Sequence, residues 1–260
     1  MEGRGSRSAS LSRLLLGAGL ALGAGALAGF PIASPVSWLP KSLLDVPDRV
    51  RSSDRLALTF DDGPHREGTS QMLLALEELD VRATFFLLGE EVEKRPGVAA
   101  EIAARGHSVG VHGYRHRVLV GLSAREIRDD LDRALDVIQR ATGRAPVLHR
   151  PPKGILTWSS LPLIRKMGLQ PGLWAVDGRD WRTTATPGSI AGRINGRLRG
   201  GEIVLLHDSD YQASPDSWRG ALEALPLIVE RARALGLQTV SLRPSGSKAE
   251  PFTDEPLRRR

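Results

Sequence analysis

The chain contains no cysteine. That absence excludes disulfides, thiolate-held metal and a lipid anchor of the lipoprotein type on cysteine, and it leaves the redox compartment open. An excess of charge is also missing where a fold would form. The formal net charge is +6 and the sequence pI about 10.2. Yet Arg4, Arg7, Arg13 and Lys41 against Glu2 place +3 before residue 42, and residues 243–260 carry +2, which leaves +1 for residues 42–242. A near-neutral body lacks the basic footprint of a nucleic-acid binder, and nucleic acid is not expected as a partner. Histidine is scarce, with six in the chain, so any close pair stands out.

Charge disappears altogether from Leu14 to Pro40, after three arginines and around a small-residue Ala26-Leu27-Ala28 stretch. This is the pattern of a secretory signal, and the run is also long enough to span a bilayer. Residues 1–33 are expected to be a signal peptide or a membrane anchor. Either version puts the rest of the chain outside the cytoplasmic membrane, secreted or tethered to its outer face, with membrane contact only through this segment. Pro31, Pro35, Pro40 and Pro47 mark residues 34–54 as a linker, and the polar, proline-punctuated residues 243–260 read as a disordered tail.

Between them, residues 55–242 have the length of one domain. Short apolar runs (Leu56–Phe60, Ala83–Leu88, Val109–His112, Val147–Arg150, Leu173–Val176, Ile203–His207, Thr239–Leu242) alternate with helix-like segments. The clearest helix starts at Ser123 with Glu126 three residues on, a capping box, and presents Ile127, Leu131, Leu135 and Ile138 before Gly143. Buried strands alternating with helices predict an α/β fold with a parallel sheet. Polar residues fall at the strand C-termini (Asp61, His112, Arg150, Asp177, His207), which favours a barrel over an open sheet.

Those residues carry the chemistry. Asp61 and Asp62 follow an apolar strand and precede Gly63-Pro64, so their side chains point different ways, one able to ligate a metal while the other faces a substrate. His112 and His116 are spaced so that a helical turn would bring both imidazoles to one side. An acidic residue and two histidines make a three-ligand site with an open position for water, and a spare carboxylate can take that water's proton. Arg150-Pro151-Pro152-Lys153-Gly154 offers a guanidinium to hold a carboxylate bidentately, and backbone N–H groups near Lys153 for an oxyanion. Trp174 and Trp181 flank the acids Asp177 and Asp180, with faces suited to stacking on sugar rings. His207 ends a further strand, and with Asp177 in reach its pKa would rise, as a general acid requires. His65 and His107 read as surface or turn residues, and His149 as pointing away from the site.

In order, the segments are Thr59-Phe60-Asp61-Asp62-Gly63-Pro64, His112-x-x-x-His116, Arg150-Pro-Pro-x-Gly154, Asp177-x-x-Asp180-Trp181 and Leu205-x-His207. Together they resemble the polysaccharide deacetylase family, the nodulation-deacetylase homology domain of carbohydrate esterase family 4, over nearly all of residues 54–242. The resemblance implies a distorted (β/α) barrel of seven or eight parallel strands. It also implies one divalent metal, zinc foremost, with Co2+, Mn2+, Ni2+ or Fe2+ as alternatives. It casts Asp61 as base, Asp62, His112 and His116 as ligands, Arg150 as the holder of Asp61, Asp177 as the group tuning His207, and His207 as the acid. It gives Lys153, Trp174 and Trp181 to the substrate, a glycan that loses N-acetyl groups. Two residues depart from the family pattern: Gly113 stands where Ser or Thr is usual, and Lys153 where an aromatic is usual.

The reading is therefore an exported, monomeric carbohydrate N-deacetylase acting on peptidoglycan, chitooligosaccharide or exopolysaccharide. Two alternatives stay open, a deacylase of a lipid-linked amino sugar and a non-catalytic carbohydrate-binding protein on the same fold. A two-His-one-carboxylate iron oxygenase fits the ligands, but it leaves Asp61, Arg150 and His207 without a role.

Overall fold

A computed structural model describes residues 44–243; the expected signal or anchor and the tail after 243 lie outside the described residues. The alternation resolves into eight strands and seven helices among those residues. In chain order they are β1 (Arg55–Asp61), α1 (Gly68–Glu78), β2 (Thr84–Leu87), α2 (Gly89–Lys94), α3 (Pro96–Ala104), β3 (Ser108–Val111), α4 (Ala124–Thr142) and β4 (Leu148–His149). Then follow α5 (Ser160–Lys166), β5 (Gln170–Pro171), β6 (Val176–Asp177), α6 (Pro187–Asn195), β7 (Ile203–His207), α7 (Ser217–Ala234) and β8 (Gln238–Val240). No helix among them is long and apolar enough to cross a membrane.

The sheet runs β5-β4-β3-β2-β1-β7-β6, with β8 pairing to the first residues of β1. Every strand pairing is parallel. It curls into a half-barrel that stays unpaired between β5 and β6, as expected of a distorted barrel. The reason is local: only residues 172–175 join these two strands, far short of the dozen or so that a parallel crossover needs. The central strand β1 is buried along almost its whole length, on both faces, because helices cover one side and the barrel interior the other.

The helix α4 forms as its sequence dictates. Ser123 Oγ accepts from Glu126 N at 3.2 Å while Glu126 Oε2 accepts from Ser123 N at 2.9 Å, and Gly143 closes the helix at φ 71°. Its buried stripe is Ile127, Leu131, Ala134, Val137 and Ile138, with Leu135 at the margin.

Three expectations change. The Leu173–Val176 run contributes only its last residue to β6, and the two-residue β5 before it carries no apolar signal. Residues 44–54 are not a free linker: Leu44, Val46 and Val50 are buried, Leu173 N donates to Pro47 O at 2.9 Å, and Arg49 bridges to Glu202. His107 is buried rather than superficial; its Nδ1 accepts from Ala83 N at 3.1 Å, and burial, with Arg82 and Arg105 nearby, lowers its pKa to about 4.

Candidate metal centre and active site

The chemistry-bearing residues converge at the C-terminal ends of the strands, where loops are free to vary over a rigid scaffold. Asp61 is the last residue of β1 and Asp62 follows at φ 74°, a left-handed turn that sends the two carboxylates apart. His112 continues β3, its N donating to Leu87 O at 2.8 Å. Its Nδ1 lies 2.8 Å from Arg150 O, so it donates there and turns Nε2 inward as a lone pair.

That lone pair faces Asp62. His112 Nε2 stands 3.3 Å from Asp62 Oδ1, and His116 Nε2 stands 3.5 Å from the same oxygen. The donor atoms of the three residues lie within 4.8 Å of one another. Asp62 Oδ1 is buried and accepts no hydrogen bond. A buried carboxylate oxygen left unpaired is costly, and two inward lone pairs beside it complete a set of donors that fits a divalent cation. Burial works against the charge on Asp62, but the neighbouring His112, with His207 and His116, holds its carboxyl well below the usual range. Burial lowers His116 to about 4, and His112 and Lys153 add to the effect against the pull of Asp62. A neutral imidazole is the form that ligates.

The helical turn expected between His112 and His116 does not form. Residues 112–116 make an irregular bend, with Gly113 at φ 103°. A Cβ at Gly113 would come within 2.9 Å of Arg115 O, so glycine at this position is a requirement of the loop's path. The bend is pinned from outside: Gly89 N and Glu90 N donate to Gly113 O and Tyr114 O at 2.9 Å each, and Asp130 Oδ2 accepts from Tyr114 N at 2.7 Å.

Arg150 is fully buried and serves four acceptors. Nη1 donates to Asp61 Oδ1 at 2.7 Å and Thr59 Oγ1 at 2.8 Å, Nη2 to Leu173 O at 3.1 Å, and Nε to Gly172 O at 3.4 Å. The guanidinium carbon also lies 4.1 Å from the centre of the Phe86 ring. The grip on Asp61 is thus single rather than bidentate, because the second nitrogen is committed to the β5–β6 link. Asp61 Oδ2 stays directed toward the centre, 3.9 Å from His112 Nε2.

Opposite, His207 ends β7 with Nε2 4.0 Å from Asp62 Oδ2. Its carboxylate partner is Asp180, not Asp177. Asp180 Oδ1 lies 2.9 Å from Nδ1, and Oδ2 accepts the His207 backbone N–H at 2.6 Å. Asp177 instead accepts from Arg179 N at 2.7 Å, folding back on its own turn. Burial alone would depress His207, but Asp180, aided by Asp62 and Asp61, raises it to about 10.

The tryptophans separate. Trp181 is 40% exposed beside the mouth, with Arg182 stacked 5.2 Å from its ring centre. Trp174 packs with the core, 5.5 Å from the Arg150 guanidinium and directly against Gly154, where a Cβ would meet the ring at 2.7 Å. It stands half-buried behind Arg150. Lys153 is exposed in the turn after β4, at φ 60°. His149 points away from Arg150 on β4 and is fully buried, where burial lowers it to about 3.

Comparison with known proteins gives the same constellation a lineage. Residues 48–172 match the family model described as "Polysaccharide deacetylase". A peptidoglycan-N-acetylglucosamine deacetylase of Bacillus cereus is 31% identical over 209 residues, 80% of this chain and 74% of that protein. A chitooligosaccharide deacetylase of Azorhizobium caulinodans is 30% identical over 194 residues, 72% of this chain and 92% of that protein. Other relatives are longer, and the chain spans only 38% and 34% of two of them. The crystal structure of the Bc1960 peptidoglycan N-acetylglucosamine deacetylase superposes with a TM-score of 0.69 at 32% identity, covering 73% of this chain and 86% of that one. On fold, motif order and relatedness together, the chain belongs to the polysaccharide deacetylase family.

Proposed function

We propose that the protein is a metal-dependent hydrolase that removes N-acetyl groups from amino sugars of a cell-envelope or extracellular glycan. One observation carries the reading. A complete set of reacting groups faces a common centre, with Asp61 oriented by Arg150 on one side, His207 oriented by Asp180 on the other, and Asp62, His112 and His116 between them. A glycan-binding protein without turnover has no use for the two oriented proton carriers.

Asp62, His112 and His116 would hold the cation, with zinc the best match to an N,N,O set. When bound, it supplies Lewis-acid polarisation of the acetamide carbonyl and a water of lowered pKa. Asp61 Oδ2 takes the proton of the attacking water while Oδ1 stays tied to Arg150. Oxygen bonds to the carbonyl carbon, the C–N bond breaks, and His207 Nε2 delivers a proton to the departing nitrogen. Acetate and a free amino sugar leave. Asp180 fixes which ring nitrogen of His207 faces the reaction. Trp181 supplies an exposed face on which a sugar ring can stack.

Residues 44–54 cross the N-terminal ends of the strands, where Val50 N donates to Gly201 O at 2.9 Å ahead of β7.

The test is acetate release by purified residues 42–260 loaded with zinc, against N-acetylated chitooligosaccharides, peptidoglycan and exopolysaccharide. Release by wild type and none by Asp61→Asn supports the reading. Silence on all three, with one equivalent of metal bound, rejects it.

A further inference from the structure

The three metal donors are not held equally. His112 N donates to Leu87 O at 2.8 Å, and its ring Nδ1 donates to Arg150 O at 2.8 Å. Asp62 follows directly on β1, the central strand. The ring of His116 has no second hydrogen bond of this kind among the described residues, although a ligating histidine ordinarily has one. Its aim therefore depends on the path of the main chain from residue 112 to residue 116.

That path has little support from within. Residues 113–115 belong to neither helix nor strand, so their N–H groups have no ladder to join. Gly113 has no side chain, and a Cβ there would stand 3.2 Å from Asp130 Oδ2. The brace comes from α4. Asp130 Oδ2 accepts from Tyr114 N at 2.7 Å, and Oδ1 accepts from Arg115 N at a longer 3.4 Å. A carboxylate that takes consecutive main-chain N–H groups makes charge-assisted bonds, stronger than those of a neutral acceptor. Arg133, one helical turn further along the same face, lies over the Tyr114 ring at 3.8 Å. The buried Ile127 and Leu131 on either side of Asp130 fix the rotation of the helix, and the Ser123 cap fixes its start.

We propose that Asp130 is a positioning residue of the metal centre. By clasping the main chain of Tyr114 and Arg115 it aims His116 Nε2 at Asp62, and so sets how tightly the cation is held. The inference rests on the metal-dependent reading. It makes α4, a helix that contributes no ligand, part of the metal site. Asp130 acts through affinity, so excess metal should make good its loss, as it cannot make good the loss of a proton carrier such as Asp61.

The experiment compares the full chain as wild type, Asp130→Ala and Asp130→Asn, each first stripped of metal. Competition with a chromophoric chelator gives the zinc Kd, urea denaturation gives stability, and amide hydrogen exchange without metal reads the Tyr114 N–H. Asp130→Ala should bind zinc about ten- to hundredfold more weakly than wild type. Asp130→Asn, which keeps one acceptor oxygen, should fall between them, and exchange at Tyr114 should quicken in the same order. Acetate release by Asp130→Ala should approach the wild-type kcat once zinc saturates it. A merely structural role would lower the urea midpoint and leave the zinc Kd of the folded protein alone, and that result overturns the proposal. A kcat that stays low at saturating zinc overturns it too, because the effect would then lie in the chemistry and not in the affinity. If Asp130→Ala does not fold, Asp130→Asn decides, and a zinc Kd equal to that of wild type ends the clasp. If wild type itself binds no zinc, the metal-dependent reading fails. Hydrogen exchange alone then decides whether Asp130 orders the loop: faster exchange at Tyr114 in the variants retains the clasp, and an unchanged rate ends it.

Discussion

Asp180 holds His207 twice, its Oδ1 2.9 Å from ring Nδ1 and its Oδ2 accepting the backbone N–H at 2.6 Å. Ring and main chain are thus fixed by one carboxylate, and Nε2 can face only the reaction centre. Asp180→Asn should lower kcat by about 10²–10⁴, the range of a mis-set general acid. Asp177→Asn, whose carboxylate accepts from Arg179 N, should cost far less. Steady-state acetate release for both variants measures the difference. Equal losses would return the role to Asp177.

Asp61 and His116 should fail in different ways. Asp61→Asn leaves the three metal donors in place, so it should bind zinc stoichiometrically while turnover drops at least about 10²-fold. His116→Ala should lose metal and activity together. Metal content by mass spectrometry alongside kinetics separates the two. Normal turnover by Asp61→Asn would remove it as the base.

Arg150 is a stability residue as well as an orienting one. Arg150→Met strands the buried Asp61 carboxylate and frees two carbonyls, and should destabilise by about 3–5 kcal/mol. Urea denaturation gives the value. A loss below about 1 kcal/mol would mean that the interior relaxes or admits water around Asp61.

Stability should fall in mild acid because of His107. Its folded pKa is lowered from 6.5 to about 4, so the unfolded chain binds a proton first. Above pH 6.5 both states are neutral and the residue has no effect. As pH falls through the window from 6.5 to 4, stability should drop by about 2–3 kcal/mol, since each unit is worth about 1.4 kcal/mol. Denaturation midpoints of wild type and His107→Asn across that window should converge at low pH. Parallel curves would show that another group is responsible.

Gly113→Ser tests the bend that brings the histidines together. With φ 103° and backbone 2.9 Å from the added Cβ, it should cost about 1–3 kcal/mol and weaken zinc affinity by displacing His116. A competition titration with a chromophoric chelator reads the affinity. An unchanged value would show that the loop has a second path.

What could be read from the chain alone followed the strength of local signals. Asp61, His112, Arg150 and His207 stand at strand ends because apolar runs precede them, and the Ser123–Glu126 box starts its helix as written. The choice between Asp177 and Asp180 was hidden. The strand before them has two residues, and Arg179 at φ 54° redirects the chain between the acids. The half-burial of Trp174 depends on Gly154, twenty residues earlier, leaving room for the ring, a non-local condition that leaves no trace near the tryptophan. Residues 44–54 looked like a linker because Pro31, Pro35 and Pro40 precede them and Pro47 lies within them. Their anchoring to Gly201, Glu202 and Leu173 is non-local and leaves no periodic trace.

The unpaired edge between β5 and β6 has a consequence for how the enzyme can change. Across that gap the only interior tie described is the Arg150 side chain, which bonds the carbonyls of Gly172 and Leu173 with two nitrogens and the Asp61 carboxylate with the third. Curvature of the sheet and aim of the reactive carboxylate are therefore one mechanical variable. A substitution that shifts residues 172–175 acts at a distance on proton transfer, and a substitution at Asp61 slackens the seam. The wall of this barrel cannot evolve independently of its chemistry.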